Sequence, residues 1–278
     1  ALDAGHQRVP LPAYPFQRRR YWADPPVSPL LHRVLWEDSV LPGTSAADSA
    51  SGAASASATV RSVLLTGPDA SSVSRLAGQL AAEGVKVHTG GEEPPDAVVL
   101  VAGPAPGQED ADALGRAQET ALAAFGEALA RLDETGARRL LVLTEDVHTT
   151  GAAHERPRPA HAVLGGPLLA LPQETPGCSA TGVDVCSLDT PAQRLAAVLA
   201  ELRADGTPGR ATSVAWRAGR RLTRNISPLA SRDTTVSPLP ADGTFLITGG
   251  GGGIGGALAR DLAGRGRPTL VLAGRSPR

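Results

Sequence analysis

The sequence predicts an α/β fold with a mainly parallel sheet, and two observations carry this prediction. Short apolar segments alternate with amphipathic helical segments between Val60 and Thr223, which is the order that builds β-α-β units. A second such succession begins at Thr244, where a buried strand leads into a glycine-rich turn and then a helix. With 278 residues, the chain has room for roughly two domains with sizeable cores.

Composition and charge argue against several classes of protein. Lys and Arg total 27 against 28 Asp and Glu, with no basic block, so nucleic acid is not an expected partner. No apolar stretch approaches the ~20 residues that span a bilayer, and no signal-peptide core is present near the start. We therefore expect a soluble, cytoplasmic protein that does not bind membranes. Cys178 and Cys186 lack a metal-ligand pattern, so we expect both to be buried small apolar side chains and expect no metal site.

Residues 1–29 are predicted to be an extended linker, because six prolines remove backbone donors and restrict the residues before them. Within this linker, the segment 11–22 combines four of the eight aromatic residues with three consecutive arginines. We interpret it as a strap whose aromatic side chains dock on neighbouring protein. A nucleic-acid or membrane patch is the alternative.

Residues 30–226 are predicted to form the first domain. We expect a strand at Leu31–Glu37 and then a mobile loop at about 41–59, whose small residues offer too little apolar area to offset ordering entropy. Helices are predicted at Asp110–Leu132 and after Pro191, the latter with Thr190 as its N-cap. The further predicted strands, with helical segments between them, are Ser62–Thr66, Val85–His88, Ala97–Ala102, Arg139–Thr144, Thr181–Val185 and Ser213–Arg217.

The end of this domain is marked by a turn and a change of composition. Gly219 lies between two apolar-containing segments and indicates a closing hairpin. Prolines, serines and threonines follow from about Arg224, so we predict a linker at 227–242 and a second domain at 243–278.

The first strand-to-helix turn, Thr66–Ser72, is poorly suited to a phosphate. It contains one glycine, and Pro68 removes an amide that a phosphate would need. We therefore interpret the first domain as a nucleotide-binding fold without the nucleotide site. A second cofactor site is the alternative.

The second domain opens with the strongest motif of the chain. Gly249, Gly253 and Gly255 fit the pattern Thr-Gly-x-x-x-Gly-x-Gly between a strand and a helix. One glycine is needed for the tight turn, one for close approach of a pyrophosphate, and one for packing of helix on strand. Backbone amides and the positive helix end favour the pyrophosphate. The helix face expected to pack on the sheet is Leu258, Ala259 and Leu262, and a second strand is predicted at Thr269–Ala273.

The end of that second strand predicts which dinucleotide binds. NAD enzymes usually place an acidic residue there to bind the ribose 2′-hydroxyl, whereas this chain has Arg275 followed by Ser276. A guanidinium suits a 2′-phosphate, so NADP(H) is favoured over NAD(H). The alternative is a flexible low-complexity glycine turn. The predicted cofactor-binding residues are Thr248, Gly249, Gly250, Gly251, Gly252, Gly253, Ile254, Gly255, Arg275 and Ser276.

On these motifs the chain resembles a modular type I polyketide synthase. The segment 11–22 resembles the linker after the acyltransferase domain. Leu31–Leu222, with Gly165–Gly177 and Val214–Arg217, resembles the structural subdomain of a ketoreductase, a truncated Rossmann-like fold that has lost its cofactor. Thr248–Gly255 with Arg275 and Ser276 is similar to the opening βαβ of the catalytic subdomain, a second Rossmann fold of the short-chain dehydrogenase type that binds NADPH.

The resemblance implies an activity and partners. It implies reduction of a β-ketoacyl thioester, carried on phosphopantetheine of an acyl carrier protein, to a β-hydroxyacyl thioester. Ketosynthase and acyltransferase domains would be neighbours. Because the linker continues directly into the reductase scaffold, no dehydratase domain is expected between the linker and the reductase. The product of the module would therefore keep its β-hydroxyl group.

The family's catalytic Ser, Tyr and Lys are not matched. The 23 residues after Gly255 contain neither Tyr nor Lys, and Ser276 belongs by position to the phosphate turn. We therefore assign no catalytic residue and expect a fragment that is inactive alone, with the remainder of the reductase elsewhere. The alternatives are a purely structural docking scaffold and a different short-chain dehydrogenase.

Overall fold

The computed structural model of the chain describes residues 31–41, 60–88, 93–104, 111–152, 154–204, 206–229 and 239–275. The predicted linker 1–29 and nearly all of the predicted loop 41–59 lie outside these ranges. Backbone contacts divide the chain into two compact units: His32–Ser227 forms the first, and the second contains Pro228–Arg278.

The first unit is built on a sheet of eight strands within the described residues. Its strands are β1 (His32–Asp38), β2 (Ser62–Thr66), β3 (Lys86–His88), β4 (Ala97–Val101), β5 (Arg139–Glu145), β6 (Ser179–Val185), β7 (Ala211–Arg217) and β8 (Arg220–Pro228). Its helices are α1 (Ala70–Ala82), α2 (Ala111–Thr135), α3 (Gly165–Glu174) and α4 (Pro191–Arg203), with a 3-10 helix at Pro159–Leu164.

The strands lie in the order β1-β8-β7-β6-β5-β4-β2-β3. The strands from β3 to β7 pair in parallel, and β7 pairs with β8 antiparallel through the two-residue turn at Ala218 and Gly219, both at positive φ. The predicted α/β fold, its mainly parallel sheet and the hairpin are confirmed. All seven strands predicted in this unit are present, with ends shifted by at most two residues.

Two sequence expectations for this unit were wrong. Strand β8 continues to Pro228, so it includes the first two residues of the segment 227–242 that was predicted to be a linker. Its outer edge is held by β1, with bonds from Asn225 to Glu37 and from Arg220 to Asp38. Between β3 and β4 the described residues 93–96 are not helical, although a helical connection was predicted.

Helices cover both faces of this sheet. In β4, Val99 and Val101 join the core under α1 and α4, whereas Val98 and Leu100 join the core under α2 and α3. Successive strand residues point to opposite faces, so an all-apolar strand serves both cores. Cys178 and Cys186 are buried as predicted, and burial raises the pKa of both thiols.

The second unit contains β9 (Thr244–Thr248), α5 (Gly253–Arg265) and β10 (Thr269–Ala273). The two strands are parallel, and the helix packs on them through Ala259 and Leu262 against Ile247. The predicted βαβ succession is confirmed. Leu258 was wrongly expected in the packed face: it is 46% exposed and is not part of the apolar cluster that Ala259 and Leu262 form with the strands.

Across the ranges that the structure describes, no helix is both long and apolar enough to cross a bilayer. The same ranges contain no group of three or more His, Cys, Asp or Glu side chains that could hold a metal ion.

Candidate cofactor-binding site

The turn between β9 and α5 begins with Gly249, whose φ is +70°. Side chains disfavour this left-handed conformation, whereas glycine adopts it without steric cost. The Gly252 amide donates to the Gly249 carbonyl oxygen over 2.9 Å and closes the turn, and the Gly250 amide donates to the Ala273 carbonyl oxygen over 3.1 Å. The turn is therefore fixed to the end of β10.

The other two motif glycines have different surroundings. A Cβ atom on Gly255 would lie 2.4 Å from the Gly249 carbonyl oxygen and 2.7 Å from the Gly250 Cα, so only glycine allows the helix to approach the turn this closely. A Cβ atom on Gly253 would meet nothing within 4 Å. The space outside Gly253 is therefore open to a ligand.

The start of α5 offers donors for an anion. Its N-cap, Gly252, supplies no side-chain hydrogen bond. The amides of Gly253, Ile254 and Gly255 are first-turn groups, which have no carbonyl acceptor within an α-helix, and they lie at the positive end of the helix dipole. The arrangement can bind a phosphate or pyrophosphate group.

The geometry separates the predicted residues into two groups. The Gly252 amide is used inside the turn, and the Gly250 amide holds the turn to the end of β10. Thr248, Gly251 and Ile254 are exposed, and Ile254 is 88% exposed. The sequence could not reveal the bond from Gly250 to Ala273, because any residue supplies a carbonyl and only strand pairing brings this one close.

Arg275 lies at the same edge of the sheet as the turn. The strands are parallel, Thr248 and Ala273 are register partners, and Arg275 follows two residues later as an exposed side chain. The sequence from 266 to 278 contains no Asp or Glu that would repel a phosphate. Ser276 lies outside the described residues. These features fit a dinucleotide that carries a 2′-phosphate.

The described residues of the second unit include no Tyr or Lys that could serve as the family's acid or base. Lys86, the only lysine of the sequence, lies in β3 of the first unit, where its Nζ is 2.8 Å from Glu93 Oε2. Tyr14 and Tyr21 lie outside the described residues. The predicted assignment of no catalytic residue therefore stays a prediction.

Comparisons with known proteins bear directly on the family. Residues 243–278 match the family model of the KR domain. The chain is 32% identical to erythronolide synthase of Saccharopolyspora erythraea over 96% of its own length, and 34% identical to a phenolphthiocerol/phthiocerol polyketide synthase subunit of Mycobacterium tuberculosis over 66%. The resemblance to polyketide synthase ketoreductases is confirmed. The chain spans only 8% and 10% of the lengths of these two relatives.

Solved ketoreductase structures share the fold. An A-type ketoreductase from a modular polyketide synthase aligns with a TM-score of 0.55 and 24% identity, covering 88% of this chain and 53% of that one. A C2-type ketoreductase aligns with a TM-score of 0.55 and 22% identity, covering 87% and 53%. The Rossmann-like fold class predicted from the sequence is confirmed.

Proposed function

We propose that this chain contributes the scaffold and the first part of the cofactor site to an NADPH-dependent polyketide synthase ketoreductase. The parent enzyme would reduce a carrier-bound β-ketoacyl thioester to a β-hydroxyacyl thioester. One observation carries the proposal: the KR match covers the same residues in which Gly249 shapes a turn and Gly255 brings the start of α5 against it.

Each part of the site has a separate role in this proposal. The amides of Gly253, Ile254 and Gly255 bind the pyrophosphate, and Gly250 and Gly252 hold the turn in shape. Arg275 and Ser276 bind the 2′-phosphate through charge-assisted hydrogen bonds. NADPH, when bound, supplies the hydride. Residues 243–278 contain no Tyr or Lys of the kind the family uses, so in this proposal the proton for the product hydroxyl comes from another part of the reductase.

The first unit is proposed to be a scaffold rather than a second dinucleotide site. At the start of α1, the Asp69 carboxylate accepts the Ser72 amide over 3.0 Å, in the position where a pyrophosphate would bind. The Asp69 pKa is lowered by hydrogen bonds from Ser72 and Ser71, so the group is an anion at neutral pH. A dinucleotide needs free first-turn amides for its phosphates, and Asp69 already uses one of them.

The proposed partners follow from the multidomain relatives. We expect neighbouring ketosynthase and acyltransferase domains, the remainder of the ketoreductase, and an acyl carrier protein that presents the substrate on phosphopantetheine. The β-hydroxyl product would then pass to the next module without dehydration in this one.

The test is a titration of NADPH and NADH, followed by nucleotide fluorescence, against this chain and against a version extended by about 200 residues at its C-terminus. We expect tighter binding of NADPH than of NADH, and reduction of a β-ketoacyl thioester only by the longer version. An Arg275→Glu variant should reverse the preference, whereas Arg267→Glu serves as a control in the loop before β10. Turnover without NADPH binding at this turn, or equal affinity for the two nucleotides, would contradict the proposal.

A further inference from the structure

We propose that the first unit contains a ligand site of its own, which binds a small organic anion with an apolar tail, such as a medium-chain carboxylate. The site is a cavity of about 500 Å³ at the carboxyl edge of the sheet, between α1 and α4. This inference does not depend on the proposed reductase function.

The topology of the sheet creates this cavity. Strands β4 and β5 lie between β2 and β6, but their helices α2 and α3 pack on the other face. Helices α1 and α4, which follow β2 and β6, must therefore cover four strands on their own face. Crevices at the carboxyl ends of parallel strands, where the strand order reverses, are the usual ligand sites of such sheets.

The inner surface of the cavity is apolar. The ends of three strands form its floor, and side chains of α1 and α4 form its walls. These residues are Val101, Leu143, Val185, Leu76, Leu195 and Val198. Ligand pockets of about 300–1,000 Å³ typically combine such a lining with a few polar groups at defined positions.

The rim holds a guanidinium that is available to a ligand. Arg75 donates to Ser72 Oγ over 3.0 Å, and no described carboxylate lies within salt-bridge distance of it. The two acids of the rim are already engaged: Asp69 caps α1, and Glu145 binds Arg194 at 2.8 Å. A carboxylate is the natural partner of Arg75, because paired charge-assisted bonds to guanidinium are strong.

Chain length provides the first test. Binding of butanoate, hexanoate and octanoate to the full chain is measured by calorimetry at constant ionic strength. Each methylene that enters the apolar cavity should tighten binding about fourfold. A constant affinity across the series, or no saturable octanoate binding, would overturn the proposal.

Variants provide the second test. Arg75→Gln should weaken octanoate at least about tenfold and leave 1-octanol unchanged, because it removes a charged hydrogen bond only. Arg203→Gln, an exposed arginine at the other end of α4, should bind octanoate like the unmodified chain. Leu195→Trp should block both ligands by filling the cavity. Equal weakening by Arg75→Gln and Arg203→Gln would show non-specific attraction and would refute the site. Gly255→Ala should leave octanoate binding unchanged. The cavity proposal and the NADPH proposal can therefore be refuted independently of each other.

Discussion

Arg217 illustrates how single residues hold the first unit together, because all five of its N–H donors are used. Its Nε donates to Glu155 over 2.8 Å, and its Nη1 donates to the Asp184 and Trp216 carbonyl oxygens. Its Nη2 donates to the His148 carbonyl oxygen and to Asp184 Oδ2, both at 2.7 Å. One buried guanidinium therefore fastens the loop after β5 to β6 and β7.

We predict that Arg217→Met strongly destabilises the fold, by about 3–5 kcal/mol, because it leaves two buried carboxylates without their cation. Arg220→Met is the matched control: Arg220 also binds an acid, Asp38, but both side chains are more than 60% exposed. It should leave the free energy of unfolding nearly unchanged. Urea unfolding checks both variants, and equal losses would contradict the buried-pair explanation.

The buried His161 and the half-buried His148 make stability depend on pH. Burial lowers the pKa of His148; the positive charges of Arg217 and Arg224 lower it further, and the negative charge of Asp184 partly offsets both effects. Burial also lowers the pKa of His161, and Asp184 partly offsets this effect. As the pH falls, both histidines become protonated near pH 6.5 in the unfolded chain and only at lower pH in the folded chain. The stabilisation is therefore complete above pH 6.5 and is lost as the pH falls below it.

We accordingly expect the free energy of unfolding to be lower at pH 5.5 than at pH 7.5. His161→Gln should reduce this difference, because it removes one of the two shifted groups. His32→Gln, at an exposed site, should retain it. Urea titrations at the two pH values measure the difference, and an unchanged pH dependence in His161→Gln would refute the assignment.

These residue roles were not predictable from the sequence. Arg217 lies 62 positions from Glu155 and 33 from Asp184, and only the pairing of β6 with β7 brings them together. No local pattern marks a charged residue as buried. In contrast, Gly249 and Gly255 were predictable, because strand, turn and helix are contiguous in the chain.

At the scale of elements, the glycine turn depends on one close approach. We predict that Gly255→Ala lowers NADPH affinity at least about tenfold, since its Cβ would overlap the turn that shapes the site. Gly264→Ala, later in α5 with open space around it, should leave NADPH affinity unchanged and stabilise the helix by about 0.5–1 kcal/mol. Fluorescence titration and urea unfolding distinguish the two. Unchanged NADPH binding by Gly255→Ala would contradict the packing role.

The N-terminus of α4 confirms a local prediction from the sequence. Thr190 Oγ1 accepts the Gln193 amide over 3.2 Å, and Gln193 Oε1 accepts the Thr190 amide over 2.9 Å, which completes a capping box. We predict that Thr190→Ala costs about 1 kcal/mol. Thr120→Ala, within α2, should cost little, because that hydroxyl only bonds back to the Arg116 carbonyl. Equal effects on urea unfolding would argue against the cap.

At the scale of the molecule, the sheet of the first unit joins distant parts of the sequence. Strand β1 lies beside β8, and Glu37 and Asn225 are 188 positions apart. The composition predicted a linker from residue 227, whereas residues 227 and 228 still belong to β8. Composition indicates the conformational preference of a segment by itself, whereas strand formation also depends on the strand that pairs with it.

The second unit exposes apolar side chains in its described part. Leu246 and Val271 are register partners, 67% and 48% exposed, on the sheet face opposite α5. The exposed face is compatible with the proposal that further parts of a reductase cover it.

The central claim is that the turn between β9 and α5 binds NADPH. Its most direct test is an NMR titration of the ¹⁵N-glycine-labelled chain, and of the longer version, with NADPH. The account predicts saturable shifts of the Gly253 and Gly255 amides, larger with NADPH than with NADH, and little change at Gly67 and Gly103 in the first unit. Saturable shifts confined to Gly67 and Gly103, or none at the turn in either version, would contradict it.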